Sequence, residues 1–75
     1  MRSFNKPFYI AIGKRVKQQR VSKGFSREKL AQEGDISDKF LYDIEVGNKG
    51  MSADTLFRIS IALDVSADWL LRGEV

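Results

Sequence analysis

Apolar residues recur along the chain at intervals of three and four, and serine or glycine interrupts the rhythm at each change of segment. Phe8, Ile12 and Val16 stand at i, i+4 and i+8, which predicts a helix over 7–23. It starts near Asn5–Pro7, where a first-turn proline has no N–H to leave unpaired, and stops at Gly24. Ser26, Ser37, Ser52 and Ser66 each precede a further run of helical spacing, and an acid (Glu28, Asp38, Asp54, Asp68) follows within two positions. A serine side chain accepts from an otherwise orphaned backbone N–H, and an acid in the first turn suits the positive end of the helix dipole. These signals predict four more helices over 27–33, 38–46, 53–63 and 67–72, with later stops at Gly47 and Gly73.

Nothing alternates with a period of two for long enough to predict a strand. The fold class is therefore all-α, in five short helices. The same spacing nominates a core of Ile12, Val16, Phe25, Leu30, Ala31, Ile36, Leu41, Ile44, Met51, Leu56, Ile59, Ala62, Leu63, Val65, Trp69 and Leu70. No internal repeat, low-complexity tract or interdomain linker divides it.

Composition narrows the chemistry. Seventy-five residues make room for one small core. The absence of Cys removes disulfide staples and thiolate metal sites, and the absence of His removes the commonest general base and zinc ligand. The carboxylates read mostly as caps and surface partners, so no enzyme, no metal and no cofactor are expected. Gly47-Asn48-Lys49-Gly50 lacks both the spacing of a phosphate-cradling loop and a preceding strand. No apolar run approaches the ~20 residues of a membrane span, nor is there a signal-peptide core, so an intracellular protein with no membrane partner is expected.

The net charge of +3 conceals an asymmetry. Residues 1–29 hold nine Lys or Arg against one acid, net +8, whereas residues 30–75 hold four against nine, net −5. A basic half suits a polyanion; it also suits a first helix with a solvated basic face.

Arg27 to Val46 is the informative stretch: REKLAQEGDISDKFLYDIEV. Leu30 and Ala31 share a face, Ile36 falls in the turn, and Leu41 and Ile44 form the inner face of the next helix. Two helices joined by so short a turn must cross closely, and Ala31 is small enough to permit it. This spacing is that of a helix-turn-helix.

From Ile12 to Gly73 the sequence resembles the lambdoid-repressor and Cro-type helix-turn-helix family of bacterial and phage regulators. The carriers are IGKRVKQQR before Gly24, SREKLA, ISDKFLYDIEVG, MSADTLFRISIAL and VSADWLLRG. The resemblance implies a compact five-helix DNA-binding domain over 12–73, with 1–11 forming an N-terminal arm and the start of the first helix. It implies a sequence-specific transcriptional regulator of double-stranded DNA, a repressor and homodimer, in the cytoplasm on the nucleoid.

The resemblance also assigns residues. Arg20 and Glu45 take the places of a partly buried ion pair. Ser26 and Arg27 fall where the family holds a DNA phosphate, with a solvated first-turn cation as the plainer reading of Arg27. Asn48, Lys49 and Ser52 fall where the next loop and helix start face the DNA backbone. Residues 38–46 correspond to the recognition helix, so Asp38, Lys39, Tyr42 and Asp43 would face base edges or flanking phosphates. Lysine donates to guanine and aspartate accepts from cytosine. The plainer reading of Asp38 is dipole stabilisation, and that of Asp43 an i−4 ion pair with Lys39.

Three features depart from the family pattern. Asp35 and Asp64 stand where glycine is usual, and aspartate is among the few residues that enter left-handed backbone. Gly34 replaces a small apolar residue at the end of the second helix, which it should loosen. Asp38 and Asp43, acids on the outward side of the recognition helix, suggest an alternative, a protein-binding module or antitoxin that keeps the fold without the DNA contacts. Finally, Phe57 and Ile61 form a second apolar stripe on the fourth helix; with Trp69 and Leu70 nearby they make a candidate dimer interface, unless Phe4 and Phe8 of the arm cover the stripe.

Overall fold

The computed structural model describes residues 5–73, which form five helices and no strand: α1 Lys6–Ser22, α2 Arg27–Glu33, α3 Asp38–Glu45, α4 Ala53–Leu63 and α5 Ala67–Arg72. Every expected boundary lies within one residue of the one observed. The caps explain why. The Oγ of Ser26, Ser37, Ser52 and Ser66 accepts from the N–H of Lys29, Phe40, Thr55 and Trp69 at 3.0–3.1 Å. Asn5 caps α1 through the Phe8 N–H at 3.3 Å. Asp35 and Asp64 adopt φ of 57° and 55°, the left-handed backbone expected of them. The end of α2 stays hydrogen-bonded through Gly34, which is itself buried.

α1 packs on α3 and α5, α2 lies on α3 and α4, and α4 closes the bundle against α5 and α1. Ile12, Val16, Leu30, Ala31, Leu41, Ile44, Leu56, Ile59, Leu63 and Leu70 are buried together. Phe25, Ile36, Met51, Ala62, Val65 and Trp69 pack around them, half-buried, joined by Tyr9, Phe40 and Leu71. Phe8, which shares the apolar spacing of Ile12 and Val16 but not the nominated core, is exposed, and Tyr9, absent from that core, packs inward. At 3.6 residues per turn, both i−3 and i−4 from Ile12 are candidates for the stripe. Here i−3 faces the body of the protein and Tyr9 lies against Gly50.

Two contacts fix α1 against its neighbours. Gly13 is buried where α1 crosses the end of α3, and a Cβ there would collide with the Ile44 carbonyl oxygen. Arg15 Nη1 donates to the Leu70 and Leu71 carbonyls at 2.9 and 3.0 Å, satisfying two of the orphaned acceptors that end α5.

Candidate nucleic-acid interface

α3 is held from behind by the Arg20–Glu45 pair. Arg20 Nε and Nη2 donate to the two Glu45 oxygens at 2.7 and 3.1 Å, and Nη1 donates to the Phe25 carbonyl at 2.9 Å. The side chains are only 11% and 3% exposed, so this bidentate bond works away from bulk water and fixes α3 to α1.

In front, the outward side of α3 carries two linked charge groups. Arg27, at the first position of α2, donates from Nε to Asp38 Oδ1 at 2.8 Å. Its guanidinium also lies 5.2 Å from the centre of the Tyr42 ring, so α2 and α3 are bridged across the turn. The hydrogen bond to Asp38 holds Arg27 more firmly protonated than an ordinary arginine. One helical stripe further round, Lys39 Nζ donates to Asp43 Oδ2 at 2.9 Å, and Lys49 Nζ approaches the same oxygen at 3.5 Å. The Lys39 hydrogen bond, reinforced by the charges of Lys39 and Lys49, holds the Asp43 carboxyl below the ordinary aspartate range against the opposing effect of burial. Three cations and two anions leave this surface net positive.

The structure thus brings Arg27, Asp38, Lys39, Tyr42, Asp43 and Lys49 together around α3. Ser26 is exposed at the start of α2, and Asn48 and Ser52 are exposed in sequence on either side of Lys49. Asp43 is buried, with its side chain only 4% exposed beneath the two lysines. That corrects its expected place at base edges and agrees with the plainer ion-pair reading, to which the loop adds Lys49. The pairing of Arg27 with Asp38 matched neither reading of either residue, because the bond crosses a turn whose shape no periodicity reveals.

Two of the nine cations of the basic half do not contribute to its solvated surface charge alone. Arg15 and Arg20 are occupied inside the fold. Lys14 and Lys17 line a groove along α1 with Ile10, Val21 and Val46. No group of His, Cys, Asp and Glu able to hold a metal ion occurs among the described residues, and no described helix is long and apolar enough to cross a membrane.

Of the expected dimer surface, Phe57 and Ile61 are 58% and 64% exposed, so the described part of the arm leaves them open. Phe4 lies outside the described residues. Trp69 is half-buried. Leu70 is a correction: it is fully buried in the core and offers no surface to a partner.

A family model for the helix-turn-helix domain matches residues 13–74. The chain belongs to the helix-turn-helix family. This helix-turn-helix chain is 41% identical over 63 residues to control protein C.BamHI of Bacillus amyloliquefaciens, covering 83% of itself and 78% of that protein. It is 31% identical over 62 residues to the HTH-type transcriptional regulator ImmR of Bacillus subtilis (strain 168), covering 83% of itself but only 49% of that longer regulator. Among solved structures, the restriction-modification controller protein C.AhdI from Aeromonas hydrophila superposes with a TM-score of 0.80 at 26% identity, over 83% of this chain and 94% of that one. SinR, the master regulator for biofilm formation, was solved in complex with DNA; it superposes with a TM-score of 0.77 at 38% identity, over 80% of this chain and 97% of that one.

Proposed function

We propose that this helix-turn-helix chain is a DNA-binding transcriptional regulator that inserts the N-terminal part of α3 into the major groove of double-stranded DNA. The observation that carries the reading is the net-positive cluster on the outward side of α3, on a fold shared with a regulator solved on DNA. Lys39 and Tyr42 read base edges, while Asp38 holds Arg27 at the edge of the reading surface. Ser26, Arg27, Asn48, Lys49 and Ser52 meet the sugar-phosphate backbone. The protein acts in the bacterial cytoplasm, on the nucleoid. It represses by occupying its site, which requires no surface beyond the DNA-binding face.

One domain covers half a site, so two copies bind a two-fold site through the exposed Phe57 and Ile61 stripe, with Trp69 at its edge. Asp38 and Asp43 no longer favour a protein-binding module or antitoxin, because each is neutralised by cations of the same surface.

Titration of a mixed-sequence duplex over a range of salt concentrations tests the reading. The logarithm of the binding constant should fall with log salt by about 0.9 for each phosphate neutralised. Absent or salt-insensitive binding at low ionic strength would overturn it.

A further inference from the structure

We infer that Asp43 is a positioning residue, which clamps Lys39 of α3 and Lys49 of the following loop so that one ammonium group meets a base edge while the other meets the backbone. The inference rests on the DNA-reading function proposed above and assigns a role within it.

Three observations carry it. The Asp43 side chain is buried, while those of Lys39 and Lys49 are 76% and 59% exposed, so a covered anion sits beneath two outward cations. A single oxygen, Oδ2, takes both ammonium groups, at 2.9 and 3.5 Å. The backbone of the same residue fastens the loop as well, its carbonyl accepting from the Asn48 N–H at 2.9 Å.

Lysine is a point charge on a flexible four-carbon stem, so it discriminates between bases only where something fixes the ammonium position. Without a fixed anion between them, Lys39 and Lys49 would repel each other and spread along the nearest phosphates, adding affinity but no choice of sequence. For Asp43 itself to accept from a base, it would have to leave both lysines and emerge from beneath them.

Asp43→Asn is nearly isosteric and keeps the backbone bond to Asn48. The first readout needs no DNA: proton exchange at the two lysine ammonium groups, followed by 15N NMR. Exchange at the Lys39 ammonium should be slowed in the wild type and fast in Asp43→Asn; equal rates would overturn the clamp. The second readout is binding to a preferred duplex, its single-base variants and a random duplex at one salt concentration. Asp43→Asn should bind the random duplex more tightly and lose roughly tenfold in preference at the base pair that Lys39→Ala relaxes. It should change nothing further there in a Lys39→Ala background.

A uniform gain in affinity with preference intact would make Asp43 merely repulsive and sink the proposal. So would a new base choice at a position indifferent to Lys39. Lys49→Met gives an independent check should Asp43→Asn fold poorly: with Asp43 left to Lys39 alone, exchange at the Lys39 ammonium should stay slow and preference at its base pair persist while all duplexes bind more weakly, whereas fast exchange or lost preference would overturn the clamp. Wild-type protein lacking any sequence preference would refute the reading function, and the ammonium exchange would still judge the clamp.

Discussion

Replacing Glu45 with Gln removes the charge that compensates Arg20 while nearly keeping the shape. Arg20 would keep its bond to the Phe25 carbonyl but lose one of two carboxylate acceptors, and a side-chain amide would oppose its own N–H groups. With the pair 11% and 3% exposed, water has little access to solvate the stranded guanidinium. Breaking a buried pair from one side costs about 3–5 kcal/mol. A chain of this length has roughly 4–11 kcal/mol in total, so Glu45→Gln should lose much of its stability in urea. Removing both charges, as Arg20→Met with Glu45→Leu, should recover most of the loss and leave a deficit of about 1 kcal/mol for the unpaired Phe25 carbonyl. A loss below about 1 kcal/mol for the single variant would refute the argument, since the pair would then behave as a surface one.

Gly13→Ala pits two effects against each other: helix propensity favours alanine by about 1 kcal/mol, but the new Cβ meets the Ile44 and Glu45 carbonyls, which cannot rotate away. The collision should win, with a net loss of about 1–3 kcal/mol on thermal unfolding; a rise in Tm would contradict it. Arg27→Ala should weaken binding to all duplexes alike and reduce the salt slope by about one, whereas Asp38→Asn, by releasing Arg27, should strengthen binding to all of them. A changed base choice with Asp38→Asn would instead show that Asp38 reads cytosine. Ile61→Lys should lower the sedimentation-derived mass from dimer to monomer at micromolar concentration; a monomer for both proteins would exclude a dimer free in solution.

Much of the fold was legible because its signals are local. A serine followed by an acid marks a helix start whatever the chain does elsewhere, and all four such serines cap. The core stripes follow from helical spacing, and Tyr9 was missed where that spacing allowed two answers, i−3 or i−4 from Ile12. Lys39–Asp43 was readable as an i, i+4 pair. Arg20–Glu45, 25 residues apart, was visible only through family resemblance. Lys49 reaching Asp43, Arg27 reaching Asp38, Arg15 capping α5 and Gly13 beneath Ile44 had no local signal, since each depends on how a turn or crossing places residues distant on the helical wheel.

Whether α3 reads base sequence through Lys39 can be decided by selecting bound duplexes from a random library with wild-type and Lys39→Ala protein in parallel. The wild type should enrich a two-fold symmetric site. The variant should enrich the same site with one base pair relaxed in each half, at a cost of about 1–3 kcal/mol on the original sequence. Enrichment of no sequence by the wild type, or of the same sequence with equal stringency by both proteins, would contradict base reading through Lys39.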